Sequence, residues 1–312
     1  MKTNGNSKLI IDTDIGDDID DTLAIMMTLF ARECPLIGVT TVFKNAPLRA
    51  HLARYVLDGL HCDVPVYAGI STPMLNHIER LLGDEVIRNE ARDQRGNLYP
   101  AQYIPECARK YQGDDAVRFI IESAHKYPGE LVLAPIGALT NIAAAITLDR
   151  SIVGKIKQIN MMGGTCDGGS DIKEWNILCD PEAAKIVIES GIPIYMVGLN
   201  VTMQCELPND ALHAIVDRFR DDMPLLPAMV EKWFAYYKQP CSILHDPLAV
   251  ATVTHPFVRF VKRKAAVLLD GDDRGRILQD DIPAGQSWGE MYMSDGVDAQ
   301  AFVDWFVALL RG

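Results

Sequence analysis

Short runs of apolar, often β-branched residues alternate along this chain with longer stretches whose apolar residues recur every three or four positions. Leu9–Thr13, Leu36–Phe43, Leu131–Ile136, Ile156–Met162 and Ile192–Val197 are of the first kind and predict buried strands. Asp21–Arg32, Ala46–Asp58, Ala116–Tyr127, Pro181–Ser190 and Ala299–Leu310 have the helical spacing. The opening strand, helix and strand form a βαβ unit, and such a crossover calls for a parallel sheet. No internal repeat, low-complexity tract or Ser/Gly linker interrupts residues 1–312, which predicts a single α/β domain.

The polar and glycine-rich clusters follow this pattern. Asp12–Asp21 follows the first strand, Asn45 the second, Gly137–Asn141 the third, Gly163–Asn176 the fourth and Gly198–Thr202 the fifth. Loops are polar in any protein. All five clusters, however, fall at the C-terminal ends of strands, the edge where open α/β sheets bind their ligands.

Composition narrows the function classes. With 48% hydrophobic and 23% charged residues, 312 residues bury an ordinary core and are not a disordered chain. No apolar run approaches the ~20 residues of a membrane span. The polar start leads directly into Lys8-Leu9-Ile10-Ile11, too brief for a secretory apolar segment, so a cytoplasmic protein is expected. Thirty basic against 42 acidic residues give a net charge of −12, the wrong sign for a nucleic-acid binder. The seven cysteines are scattered without Cys-x-x-Cys spacing and read as reduced thiols.

The strongest chemical signal is Asp12-Thr-Asp14-Ile-Gly16-Asp17-Asp18-Ile-Asp20-Asp21, six carboxylates in ten residues. Such crowding repels itself unless a cation neutralises it. A helix N-terminus accounts for one or two of the six; a hard divalent cation, Ca²⁺ or Mg²⁺, accounts for more. Zinc is disfavoured because no His or Cys lies nearby. An EF-hand loop from Asp12 would need Gly and Glu where Asp17 and Leu23 stand, and no Gly-rich phosphate loop ending in Gly-Lys occurs.

The same loop, with its continuation Thr-Leu-Ala24, resembles the opening signature of the inosine/uridine-preferring nucleoside hydrolases. Further matches follow in family order: Val39-Thr-Thr-Val-Phe-Lys-Asn45, Gly137-Ala-Leu-Thr140-Asn141, Met162-Gly-Gly164, Glu174-Trp-Asn176, Asp180-Pro-Glu-Ala-Ala184 and His245-Asp246-Pro-Leu-Ala249. The resemblance spans about residues 8–250. It implies a single domain with a largely parallel (mixed) central sheet flanked by helices, and one Ca²⁺ at the floor of the active site. By motif position Asp14, Asp21 and Asp246 would be carboxylate ligands and Thr140 would offer its backbone carbonyl. Asp20, Asn45, Glu174 and Asn176 would grip the ribose, with Asp12 as a supporting carboxylate behind the metal. Many relatives have two fewer residues after Gly16, so Asp17-Asp18 compete with Asp20-Asp21 for the metal. The following Thr-Leu-Ala24 favours the second pair. Homodimers or homotetramers are the common assembly among relatives, and a small nucleoside is the expected partner.

The implied reaction hydrolyses an N-glycosidic bond through an oxocarbenium-like ribosyl cation. Asp14 would take the proton of the attacking water, and His245 would be the donor to the departing base, since an ordinary imidazole titrates near pH 6.5. Glu174 and Asn176 have an ordinary alternative as caps of the helix near Pro181. Trp233, Phe234, Tyr236 and Tyr237 are a core stripe or a wall against the nucleobase. Two rival functions stand beside this one: a Mg²⁺-dependent phosphatase using Asp12 and Asp14, and a nucleoside- or sugar-binding protein without turnover. The chain departs from relatives in segment 73–113, where a His-Gly pair is replaced by His77-Ile78 and a charged stretch follows. That composition predicts an exposed lid, with Arg92, Arg95, Tyr99 or Tyr103 over the ribose.

Overall fold

A computed structural model describes residues 7–75, 98–166 and 172–312. Its strands are β1 (Lys8–Thr13), β2 (Leu36–Thr41), β3 (Val66–Ala68), β4 (Leu131–Pro135), β5 (Ile156–Met162), β6 (Ile194–Val197), β7 (Glu206–Leu207), β8 (Ser242–Ile243), β9 (Val258–Val267), β10 (Ile277–Gln279) and β11 (Gly289–Val297). Its helices are α1 (Asp20–Ala31), α2 (Ala46–Gly59), α3 (Ala116–Lys126), α4 (Thr140–Leu148), α5 (Trp175–Cys179), α6 (Pro181–Ile188), α7 (Leu199–Thr202), α8 (Asn209–Arg218), α9 (Leu226–Tyr237), α10 (His245–Ala251) and α11 (Ala299–Arg311).

Nine strands form one sheet in the order β10-β9-β11-β6-β5-β4-β1-β2-β3. From β3 to β11 neighbouring strands are parallel, and β9 runs antiparallel to both β11 and β10. This is the largely parallel, mixed sheet between helices that the sequence implied. Strand β1 pairs with β2 on one side and β4 on the other, because the chain winds outward to β3 and then returns to continue from β4. The reversal makes the C-terminal ends of β1 and β4 a topological switch point, where a crevice opens.

Side-chain alternation along β1 builds the two layers of the core. Leu9 and Ile11 join the cluster that includes α1, α2, α9 and α10, while Ile10 joins the one that includes α3, α4 and α6. Burial on both faces explains why β1 reads as an unbroken apolar run.

Two predicted boundaries shift for local reasons. Strand β2 ends at Thr41 because Phe43 and Lys44 turn the chain with φ of 68° and 54°. Strand β6 starts after Pro193, whose carbonyl still accepts from the Ile159 amide although it has no N–H of its own. Among the described residues no disulfide links the seven cysteines. Among the described residues no helix is long and apolar enough to cross a membrane.

Candidate active site

The loop from Asp14 to Ile19 crosses the crevice and is fixed from both sides. Gly16 has φ of +118°, and a Cβ there would lie 2.5 Å from Leu52 Cδ1 and 2.7 Å from Pro100 Cβ. Arg49 of α2 is fully buried beneath the loop. Its guanidinium donates to the carbonyls of Asp14, Ile15 (2.9 Å) and Phe43 (3.0 Å), and to Asp17 Oδ2 at 2.8 Å. Lys44 Nζ lies 3.1 Å from the same Asp17 oxygen. Burial alone would raise the pKa of Asp17, but Arg49 and then Lys44 outweigh it and hold the carboxyl well below the usual range. From the far side Gln102 donates its backbone N–H to the Gly16 carbonyl (2.7 Å) and its side-chain amide to the carbonyls of Asp17 (3.0 Å) and Asp18 (2.6 Å). Asp17 is therefore committed to the scaffold.

Asp20 and Asp21 open α1, and Asp246 lies in the first turn of α10. The three are buried, and one oxygen from each lies within 4.8 Å of the others. Asp20 Oδ2 accepts from the Asp246 backbone N–H at 3.0 Å, and Thr13 donates its hydroxyl to Asp21 Oδ1. Burial first, then repulsion from neighbouring carboxylates, raises the pKa of all three well above the ordinary value. Hard oxygen donors in mutual repulsion fit a hard divalent cation. Asp14 faces the same space, its pKa raised by burial and by Asp17 against the pull of Arg49 and Lys44.

These groups line a cavity of about 400 Å³ together with Asp18, Ile136, Met162, Glu174, Trp175, Asn176, Tyr236, Tyr237 and His245. Glu174 both lines the cavity and caps α5, accepting from the amides of Asn176 (2.8 Å), Gly164 (2.9 Å) and Ile177 (3.2 Å); burial raises its pKa to about 7. The helix at Pro181 is capped instead by Asp180, which accepts from the Ala183 amide. Asn176 Nδ2 donates to the Ile136 carbonyl at 3.0 Å, tying the fourth cluster to the end of β4. His245 Nδ1 lies 2.7 Å from Thr202 Oγ1, and burial lowers the imidazole pKa to about 4. A ring so placed is neutral at pH 7 and presents a hydrogen bond rather than a positive charge.

Of the residues to which the resemblance gives a metal, ribose or catalytic role, Asp14, Asp20, Asp21, Glu174, Asn176, His245 and Asp246 meet in this cavity. Asn45 and Thr140 are not in its lining. Asn45 caps α2 by accepting from the Leu48 amide (3.3 Å), and the Thr140 hydroxyl donates to Asp180 Oδ2 (2.7 Å). Asp12 lies buried behind, held by Thr40 (2.5 Å) and Asn141 (2.7 Å). The aromatic stripe of α9 divides: Trp233 is core, while Tyr236 and Tyr237 face the cavity. Tyr99 and Tyr103 pair at 5.8 Å away from the lining; Arg92 and Arg95 lie outside the described residues. Arg49 and Gln102 were not picked out from sequence, and Lys44, Trp175 and Thr202 lay within the noted clusters without a role of their own.

Known proteins resemble this chain along most of its length. The profile of the family described as inosine-uridine preferring nucleoside hydrolase matches residues 9–304. Uridine nucleosidase 1 of Arabidopsis thaliana is 32% identical over 281 residues, covering 85% of this chain and 79% of that protein. The pyrimidine-specific ribonucleoside hydrolase RihB of Escherichia coli is 33% identical over 209 residues, 66% of this chain and 63% of its own. Among solved structures, the purine-preferring ribonucleoside hydrolase from Gardnerella vaginalis superposes with a TM-score of 0.79 at 31% identity, covering 98% of each chain. The chain thus belongs to the inosine-uridine preferring nucleoside hydrolase family and is a glycosyl hydrolase that acts on ribonucleosides.

Proposed function

We propose that the chain is a Ca²⁺-dependent ribonucleosidase that releases a free nucleobase and ribose. The observation that carries this is the meeting of seven sequence-singled residues, from distant parts of the chain, around one acidic cavity. Asp21 and Asp246 would hold the metal with Asp14 beside them. The backbone oxygen expected of Thr140 is better supplied by Ile136, which lines the cavity at the end of β4. Asp20, the third corner of the acidic cluster, faces the ribose hydroxyls in this reading. Several carboxylates around one point suit the high, flexible oxygen coordination of Ca²⁺ better than the strict octahedron of Mg²⁺. When bound, the metal would acidify a water and provide fixed positive charge for the sugar hydroxyls.

The protein's own groups do the rest. Asp14 takes the proton of the attacking water. Glu174 and Asn176 hold the ribose, and the surrounding carboxylates favour positive charge at C1′ as the bond breaks. Trp175, Tyr236 and Tyr237 offer ring faces to the nucleobase, and His245 meets it as it departs. The phosphatase reading lacks its nucleophile, because Asp12 is buried outside the cavity lining and bonded to Thr40 and Asn141.

Reducing sugar released from inosine and uridine, assayed with excess chelator and then with added Ca²⁺, tests the proposal. Loss and recovery of activity are expected. Full turnover without metal would overturn the Ca²⁺ assignment; nucleoside binding without turnover under any metal would favour the binding-protein reading.

A further inference from the structure

Helix α7 is a single turn, capped by Gly198 and tied to the Gly163-Gly164 loop by a hydrogen bond from Leu199 N–H to the Gly164 carbonyl (2.9 Å). Its last residue, Thr202, is fully buried. Among the described residues its hydroxyl has one hydrogen-bond partner, His245 Nδ1 at 2.7 Å. A helical threonine commonly turns its hydroxyl back to the carbonyl four residues earlier. Here no such bond is made: the Gly198 carbonyl receives the backbone N–H groups of Val201 and Thr202 (both 3.1 Å), and the Thr202 hydroxyl points to His245.

A buried hydroxyl hydrogen needs an acceptor, since leaving it unpaired is costly. Nδ1 is the acceptor within reach, so the hydroxyl donates and Nδ1 carries a lone pair. An imidazolium, or the tautomer with its hydrogen on Nδ1, would aim two hydrogens at each other or leave the hydroxyl hydrogen orphaned. The network therefore assigns the hydrogen to the other nitrogen. His245 lines the cavity, and Nε2 is the ring nitrogen left for whatever the cavity holds.

We infer that Thr202 is a positioning residue whose hydroxyl fixes His245 as the neutral Nε2–H tautomer, a hydrogen-bond donor to the leaving nucleobase. The inference rests on the reading of His245 as the residue facing that base. The C1′–N electron pair departs with the base nitrogen, and the Nε2–H···N hydrogen bond stabilises the developing anion. The imidazole keeps its proton throughout. The base takes its proton from solvent after departure, the attacking water gives one to Asp14, and the sum is addition of water across the bond. Neutral imidazole is known to serve in this way as an electrophile.

Thr202→Val removes the hydroxyl at nearly constant volume, and Thr202→Ser restores it. With the valine, kcat on inosine and uridine should fall by about tenfold or more, in line with the loss of one aligned donor, while KM changes by less than about threefold. Turnover of p-nitrophenyl riboside, whose phenolate leaves without help, should fall far less, and serine should restore nucleoside turnover. Ring ¹⁵N chemical shifts of His245 in the full chain should show an unprotonated Nδ1 in the wild type and a tautomer mixture in the valine variant. An Nδ1–H resonance in the wild type would overturn the inference. So would equal losses on both substrates, or unchanged nucleoside rates. If the wild type cleaves no nucleoside, the functional proposal fails, while the ¹⁵N spectrum still decides the tautomer.

Discussion

Arg49 and Lys44 divide the six carboxylates of the first loop into two populations. Asp17 is paired with both cations, whereas Asp20 and Asp21 face Asp246, and burial with mutual repulsion outweighs the hydrogen bonds they accept. The two populations predict opposite consequences of removing one charge. Asp17→Asn leaves a buried guanidinium short of its partner, and breaking a buried pair typically costs about 3–5 kcal/mol. Urea denaturation should show a loss of that order. Asp14→Asn should instead leave the fold intact and lower kcat by about 10² or more, the scale of a general base. Metal occupancy must be measured beside the rate, because Asp14 also stands beside the proposed metal. The crowding itself was legible in the sequence, and so was the split of the loop into the pairs Asp17-Asp18 and Asp20-Asp21. That Asp17 would be held by cations was not, because the deciding cation lies in a different element. Its trace was present: Arg49 shares the buried face of α2 with Ala46, Ala50 and Ala53, an unusual place for a cation without a burial partner.

At the scale of elements, the site depends on how closely the ends of β1 and β4 approach. A Cβ on Gly137 would lie 2.8 Å from Asp14 Oδ1 and 2.9 Å from the Asp14 backbone nitrogen. The nitrogen cannot yield without disturbing the loop, so the side chain and loop would shift together. Gly137→Ala should therefore lower kcat/KM by about 10²-fold, the scale of a displacement near 1 Å in a reacting group. A thermal melt near that of the wild type would separate this from unfolding, and unchanged kcat/KM would show that the loop absorbs the methyl. The five strands and the clusters after them were readable because a strand buried on both faces leaves a continuous apolar run. Strands β9 to β11 were not. In β9, Lys262 and Lys264 alternate with less exposed positions, so its solvent-facing side dilutes the apolar signal. The bracing of Gly16 by Gln102 was equally hidden, since contacts between a loop and a remote segment leave no period in the sequence.

For the whole molecule the acidic site links stability to pH and to metal. The resemblance implies a homodimer or homotetramer, and light scattering at working concentration tests it without bearing on the chemistry. Burial raises Asp12 and Glu174 to about 7, from ordinary values of 3.8 and 4.5. Between those limits the folded chain binds more protons than the unfolded one. These two carboxyls therefore lower stability as pH rises through about 4 to 7, and together they outweigh His245, whose lowered pKa acts in the opposite sense between about 4 and 6.5. Asp17 acts in the opposite sense: its stabilisation is complete above the ordinary carboxylate range and is lost only on strong acidification. In chelator, the thermal midpoint should be several degrees lower at pH 8 than at pH 5.5. Ca²⁺ binds ionised carboxylates and competes with protons for them. At one fixed concentration it should raise the midpoint more at pH 8 than at pH 5.5, through its higher affinity for the folded state there. Asp246→Asn should remove most of that Ca²⁺-dependent shift while the chelated protein still melts cooperatively. Equal Ca²⁺ shifts at the two pH values would mean that the ion binds somewhere other than this carboxylate cluster.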